Sequence, residues 1–351
     1  MVFSEFSDIS VEGMAMAVSN RWCPVEKSEY EEDVLKRFKR NTGVAGRYEI
    51  EEKQTGADYA YAAAEELIKK HSLLNEDIKF LVYITQFPDY RVPATACVLH
   101  NRLGLSDDCM CFDVNQGCSG MVYGIQIVAS LLEKSNVGFG LLLLGDTTGE
   151  KLKRDQSKLW ISEGDNNALL FGNGGGAVLF KKNINAHKIQ TAMCTDGKGY
   201  QAIIEPYGYF KHPEGVSRVY FNDTAIFDFA IDKPPILIKN LMNRIDTVPS
   251  DYDSLVLHQA NKMIMKNVAK RAGFDSDQSI LSIDEFANTT CVSILSALVK
   301  KYGKEENRQV KSMLCGFGIG LSWGAVSLSF NTSCVLPLIH TDIWFDDGYY
   351  D

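Results

Sequence analysis

The chain has 351 residues, 45% hydrophobic and 23% charged, with a net charge of -9; this is the composition of a folded protein with room for two fused halves, and it excludes extended disorder. The negative balance and the lack of a long Lys/Arg run exclude nucleic acid or an anionic membrane as principal partner. Nine cysteines without a CxxC pair exclude a disulfide framework and a structural zinc site, and the expected home is a reducing cytoplasm.

The start, MVFSEFSDISVEG, lacks an export-signal pattern, and no run approaches the ~18 apolar residues of a membrane helix. In chain order, 79–85 predicts a strand, 94–103 a helix, 109–114 a strand, 121–132 a helix and 141–144 a buried strand. Alternation of this kind indicates layered α/β architecture. Residues 200–229 carry many aromatics, which read either as a cap over an apolar channel or as core beneath a long loop. The order of elements then recurs, with a helix at 236–244, a strand at 254–257 and helices at 262–271 and 290–301. That recurrence predicts a duplication, with halves near 1–180 and 181–351. An acidic, aromatic tail at 331–351 is expected to lie on a neighbouring chain or stay mobile.

Three motifs carry candidate chemistry. In DVNQGCSG, Cys118 falls where a strand meets a helix, so the helix N-terminus favours its thiolate. A buried structural cysteine fits the same local pattern. VLHQAN puts His258 at a strand end, and FANTT puts Asn288 just before a helix; each alone also reads as an ordinary structural histidine or helix cap. A thiol, an imidazole and an amide at element ends are together the parts needed for acyl transfer with oxyanion or carbanion stabilisation. The segment GFGIGLSWG, from Gly316, adds a backbone able to aim N–H groups at an oxyanion.

These four motifs, in this order, resemble the β-ketoacyl-acyl carrier protein synthase III family of the thiolase superfamily, and the likeness spans residues 5 to 330. The resemblance implies a five-layered αβαβα fold of two similar halves and a homodimer. It implies acyl transfer to Cys118, with the backbone N–H groups of Cys118 and Ile319 as oxyanion hole. Decarboxylative Claisen condensation with a malonyl thioester would follow, with His258 and Asn288 as donors to the enolate. On this reading His258→Ala and Asn288→Ala impair decarboxylation more than self-acylation. No cofactor is implied beyond the acyl thioester of acyl carrier protein or coenzyme A. Transfer of the acyl group from Cys118 to an amine, hydroxyl or other nucleophile uses the same residues, and a non-catalytic partner of a heterodimeric synthase is the reading from another class.

Departures from the family pattern bear on the donor. Segment 36–43 lacks the Trp that grips the coenzyme A adenine, and an Arg is missing near Asp165. Both disfavour coenzyme A as primer carrier. Met263 replaces the Arg after HQAN, leaving Lys262, Lys266 and Arg40 as a candidate rim for an acidic carrier, or as solvated helix faces. Val92 occupies the position that in relatives crosses the dimer interface and closes the partner's acyl pocket. The GxGxxA match at Gly172 precedes a strand pattern instead of a helix, which excludes a nicotinamide site.

Overall fold

The computed structural model describes residues 1–28, 30–51, 53–135, 138–148, 167–214 and 219–348. Its elements run β1 Val2–Phe6, β2 Ile9–Val18, β3 Arg21–Pro24, α1 Glu32–Thr42, β4 Gly46–Glu49, α2 Gly56–His71, β5 Ile78–Ile84, α3 Thr95–Arg102, β6 Met110–Val114, α4 Gly120–Lys134 and β7 Phe139–Asp146. They continue with α5 Asn167–Leu170, β8 Gly174–Lys182, β9 Ile189–Thr195, β10 Ile203–Ile204, β11 Tyr220–Phe221, α6 Asp223–Arg244 and β12 Ser254–Leu257. The last are α7 Lys262–Ala272, α8 Ile283–Phe286, α9 Ser293–Tyr302, β13 Gln309–Gly318, β14 Ser322–Asn331 and β15 Ile339–His340.

Two sheets organise the molecule, one in the order β15-β2-β8-β7-β5-β6 and the other β1-β9-β14-β13-β12. Strands such as β7, with Leu141 to Leu144 fully buried, are covered on both faces and therefore read as unbroken apolar runs. Between the sheets lie α4 and α9, whose Val122, Ile125, Leu295 and Leu298 join side chains of both sheets in one core. On the outer face of the first sheet α2 packs through Ala60, Ala63 and Leu67, together with α3. The outer face of the second is covered by α6 and α7 through Leu237, Leu241, Met265 and Val268. The result is five layers, αβαβα, the thiolase-like fold.

Each sheet takes an edge strand from far along the chain: β1 pairs with β9, and β15 pairs with β2. The described part of the tail, 332–348, accordingly lies on this chain itself, a correction to the expectation of a neighbour or a mobile end. Gln54 Nε2 donates to the carbonyls of Thr341 and Ile343, and Arg102 stacks on Phe345 while pairing with Asp347 at 2.6 Å. Helix α6 also departs from expectation, starting at Asp223 and running through Pro234 and Pro235. Pro235 has no N–H for the Ile231 carbonyl. Arg271 on α7 donates to that oxygen at 3.0 Å, and the Asn222 side chain caps the helix start through the Ala225 N–H.

Candidate active site

Cys118 stands in a single 3-10 turn, Gly117–Ser119, that carries the chain from β6 into α4. Gly117 makes that turn with φ of 51°, a left-handed conformation that disfavours side chains, and a Cβ there would press on the Gln86 amide at 3.1 Å. His258 follows the last residue of β12, its N–H held by the Cys315 carbonyl at 2.8 Å. Asn288 is fixed between Leu170 and Gly172 by two backbone hydrogen bonds. Three segments remote in sequence thus deliver a thiol, an imidazole and an amide to the wall of one cavity of about 510 Å³.

The thiol does not sit in the anion-friendly setting its helix position suggested. Burial, reinforced by the negative charge of Asp146, pushes Cys118 up to about 12, outweighing the backbone donor and the helix end. Asp146, at the end of β7, is itself fully buried. It accepts from Thr85 Oγ1 at 3.0 Å, from the Gln86 N–H at 2.8 Å, from Thr290 Oγ1 and from Cys291 Sγ at 3.5 Å. Burial raises its carboxyl and those donors oppose the rise. A thiol in such a place needs a base to become a nucleophile.

His258 can supply one. Burial pushes its imidazole down to about 3, so the ring is neutral. Its Nδ1 lies 2.7 Å from Ser293 Oγ, and Ser293 Oγ gives its one hydrogen to the Thr290 carbonyl, also at 2.7 Å. With the hydroxyl turned that way the ring donates from Nδ1, which leaves Nε2 as the lone-pair nitrogen. Asn288 is oriented just as firmly: its Oδ1 accepts from the Thr290 N–H at 2.9 Å, so its Nδ2 is the group left to donate.

Thr290 is thus the hub. Its N–H orients Asn288, its carbonyl holds Ser293, and its hydroxyl binds Asp146. It does so with φ of 49°, a conformation that a β-branched residue reaches only under constraint. From sequence, neither Thr290 nor Ser293 carries a role, and Gly145–Thr148 reads either as pocket wall or as a simple strand-exit turn; Thr148 does line the cavity.

Ile319 and Gly318 of the glycine-rich segment line the cavity. A Cβ on Gly318 would come within 2.7 Å of Cys118 Cβ, so glycine alone lets the segment approach the thiol. Ser322 ties it in place by donating to the Ile319 carbonyl and bonding Ser119 Oγ. The remaining wall is apolar and comes largely from Leu170, Phe171, Ile203, Phe221, Phe227 and Phe317. Of the aromatic middle segment, Phe221, Phe227 and Phe229 line the cavity, whereas Tyr200, Tyr209 and Phe210 are exposed.

At the mouth, Thr42 ends α1 and Asn261 precedes α7, and Gly43 lies against Lys262. Lys266 and Arg40 are exposed on these same helices, while Lys36 and Lys39 are paired with acidic neighbours. Val92 is 81% exposed and does not line the cavity of its own chain. Asp165 lies outside the described residues. Gly174, Gly175 and Gly176 are strand residues of β8, paired with β2 and β7, as the rejection of a dinucleotide loop requires. Among the described residues no group of three His, Cys, Asp or Glu side chains is arranged to hold a metal ion, and no helix is long and apolar enough to cross a membrane.

Comparison with known proteins matches residues 112–197 to the 3-oxoacyl-[acyl-carrier-protein] synthase III family model and residues 242–330 to the model of its C-terminal part. Cys118 falls in the first match, His258 and Asn288 in the second. The chain belongs to the β-ketoacyl-acyl carrier protein synthase III family. A β-ketoacyl-[acyl-carrier-protein] synthase III of Streptococcus pyogenes is 28% identical over 336 residues, covering 93% of this chain and 99% of that protein. A putative 3-oxoacyl-[acyl-carrier-protein] synthase 3 of Campylobacter jejuni is 26% identical, covering 93% and 95%. Among solved structures, a 3-oxoacyl-(acyl-carrier protein) synthase from Burkholderia xenovorans superposes with a TM-score of 0.87 at 24% identity, over 97% of this chain and 99% of that one. This synthase III fold is the five-layered architecture described above.

Proposed function

We propose that the chain catalyses acyl transfer to Cys118 followed by decarboxylative condensation with a malonyl thioester, in fatty-acid or specialised metabolite synthesis. The observation that carries this reading is the convergence of Cys118, His258 and Asn288, from three separate segments, on one apolar cavity. In the first half-reaction His258 Nε2 takes the proton as Cys118 Sγ attacks the acyl carbonyl. The backbone N–H groups of Cys118 and Ile319 stabilise the oxyanion, and the proton passes to the departing thiol. In the second, the carbonyl of the malonyl thioester binds at Asn288 Nδ2 and at His258 carrying hydrogen on Nε2. Carbon dioxide leaves, and the enolate carbon attacks the acyl-cysteine. The carbon–carbon bond forms, the carbon–sulfur bond to Cys118 breaks, and the thiolate takes a proton from solvent. The apolar wall keeps competing water from these donors, which strengthens them.

The acyl and malonyl groups come on an acyl carrier protein, which the exposed Lys266 and Arg40 near the mouth favour. The same reading makes the enzyme a homodimer, with the exposed Val92 reaching the partner's acyl pocket. The test is intact-mass analysis of Cys118 after exposure to acyl-carrier-protein and acyl-coenzyme A donors, with carbon dioxide release measured on adding malonyl-carrier protein. Acylation with coupled release supports condensation. Acylation without release, discharged by an added amine or alcohol, supports transfer to another nucleophile, and the absence of any adduct supports the non-catalytic reading.

A further inference from the structure

Condensation asks two opposite things of one ring nitrogen. Toward Cys118, His258 Nε2 must accept a proton, and toward the enolate it must donate one. With the Ser293 hydrogen on the Thr290 carbonyl the site holds the first form, Nδ1 bearing the hydrogen that goes to Ser293. Burial keeps the resting imidazole neutral, so the conflict is not resolved by a permanently protonated ring. A neutral ring can donate from Nε2 only if the group facing Nδ1 is able to give a hydrogen instead of receiving one.

Ser293 is such a group. It is wholly buried at the first turn of α9, and its Oγ sits between the ring and the Thr290 carbonyl at equal distances of 2.7 Å. A hydroxyl both donates and accepts, and its hydrogen rotates to suit. Turned toward Thr290, it accepts from Nδ1–H and leaves Nε2 free as base. Turned toward the ring, it donates to Nδ1 and is compatible with hydrogen on Nε2. The Thr290 carbonyl, on the other side of Ser293 Oγ, can only accept and so favours the first form alone.

We propose that Ser293 is a positioning residue that lets His258 exchange tautomers between the two half-reactions, as base for Cys118 and then as donor to the enolate. This rests on the condensation reading above. The ring stays neutral in both forms: one proton is released from Nδ1 to solvent and one taken up at Nε2, with no net transfer. Ser293→Ala removes the hydroxyl and leaves His258 facing an acceptor, fixed as a base.

The test separates the half-reactions in the full-length protein. Cys118 loading is followed by intact mass with short- and medium-chain acyl-carrier-protein donors, and decarboxylation by carbon dioxide release from malonyl-carrier protein. In Ser293→Ala, loading should fall no more than about threefold while decarboxylation falls roughly a hundredfold, the loss typical of one oxyanion donor. Equal losses in both steps, no loss in either, or a greater loss in loading overturns the proposal. Nitrogen-15 spectra of the histidine-labelled protein, which has six histidines, give a second readout, with His258 assigned from the signal lost in His258→Asn. After alkylation of Cys118 the unsubstituted protein should gain the Nε2–H form and Ser293→Ala should not. The same tautomer in both proteins overturns the proposal. If the unsubstituted protein never loads Cys118, it is the condensation reading itself that fails.

Discussion

At the scale of single residues, the site is organised by groups that never meet the substrate directly. Asp146 places a buried negative charge beside a thiol, which opposes thiolate formation and makes a base necessary. Replacing it tests that logic. Asp146→Asn keeps the shape and removes the charge, so the pH midpoint for alkylation of Cys118 by iodoacetamide should move to lower pH. The shift stays partial because burial, the larger cause, remains. A midpoint that does not move, in a variant that still folds, would show that the carboxylate is not felt at the sulfur. Asp146→Ala is different in kind. It strands Thr85, Gln86 and Thr290 donors in the interior, at a cost of about 1–3 kcal/mol for each group left unsatisfied. Its melting temperature should fall well below that of Asp146→Asn.

Elements decide how those residues reach one another. Each candidate catalytic residue stands where a strand or turn gives way to a helix, and that much was legible: β6 into α4, β12 into α7, and the turn before α9 all follow the apolar periodicity. Helix α6 starts well ahead of the predicted helix at 236–244 and runs through Pro234 and Pro235. Two prolines do end a helix when nothing replaces their hydrogen bonds. Here Leu237, Ile238 and Leu241 are buried against the second sheet, and Arg271 replaces one missing donor from a neighbouring helix, 40 residues away in sequence. Arg271→Ala should therefore destabilise the protein by about 1 kcal/mol, read as a lower denaturation midpoint with an unchanged slope. Because α6 also carries Phe227 and Phe229 into the cavity wall, the KM for the acyl donor should rise with it.

On the scale of the whole molecule, the tail links the C-terminal end to the region that leads into the cavity. Arg102 faces three carboxylates: Asp58 at 3.3 Å, Asp89 at 3.7 Å and Asp347 at 2.6 Å. Tyr90 bonds Asp347 as well, and Gln86 and Phe87, just before Tyr90 in the same loop, line the cavity. One guanidinium cannot balance three negative charges. Burial, with the Asp89 charge adding to it, raises Asp58 to about 6, and Asp89 is also raised. A carboxyl raised in the folded state contributes stability that is fully present below its unfolded value near 3.8 and is lost as pH rises through about 6. The cluster should thus hold the tail more tightly at pH 5.5 than at 7.5, seen as higher amide protection over 339–348 once the base-catalysed intrinsic exchange rate at each pH is divided out. Asp58→Asn should flatten that dependence. Lower protection at pH 5.5 than at pH 7.5 would contradict it.

By itself the sequence determined the layered α/β class, most element positions, and the three residues that meet in the cavity. Those follow from periodicity and short motifs, which are local properties of the chain. What it could not determine was the state of those residues. The hydrogen on His258 depends on Ser293, 35 positions away, and the charge beside Cys118 depends on a carboxylate whose Thr290 partner is 144 positions distant. The tail was ambiguous for the same reason, since its place is set by Gln54 and Arg102 across the fold. Burial and hydrogen-bond partnership are properties of the packed molecule, and only tertiary structure brings together the groups that fix a proton or a charge.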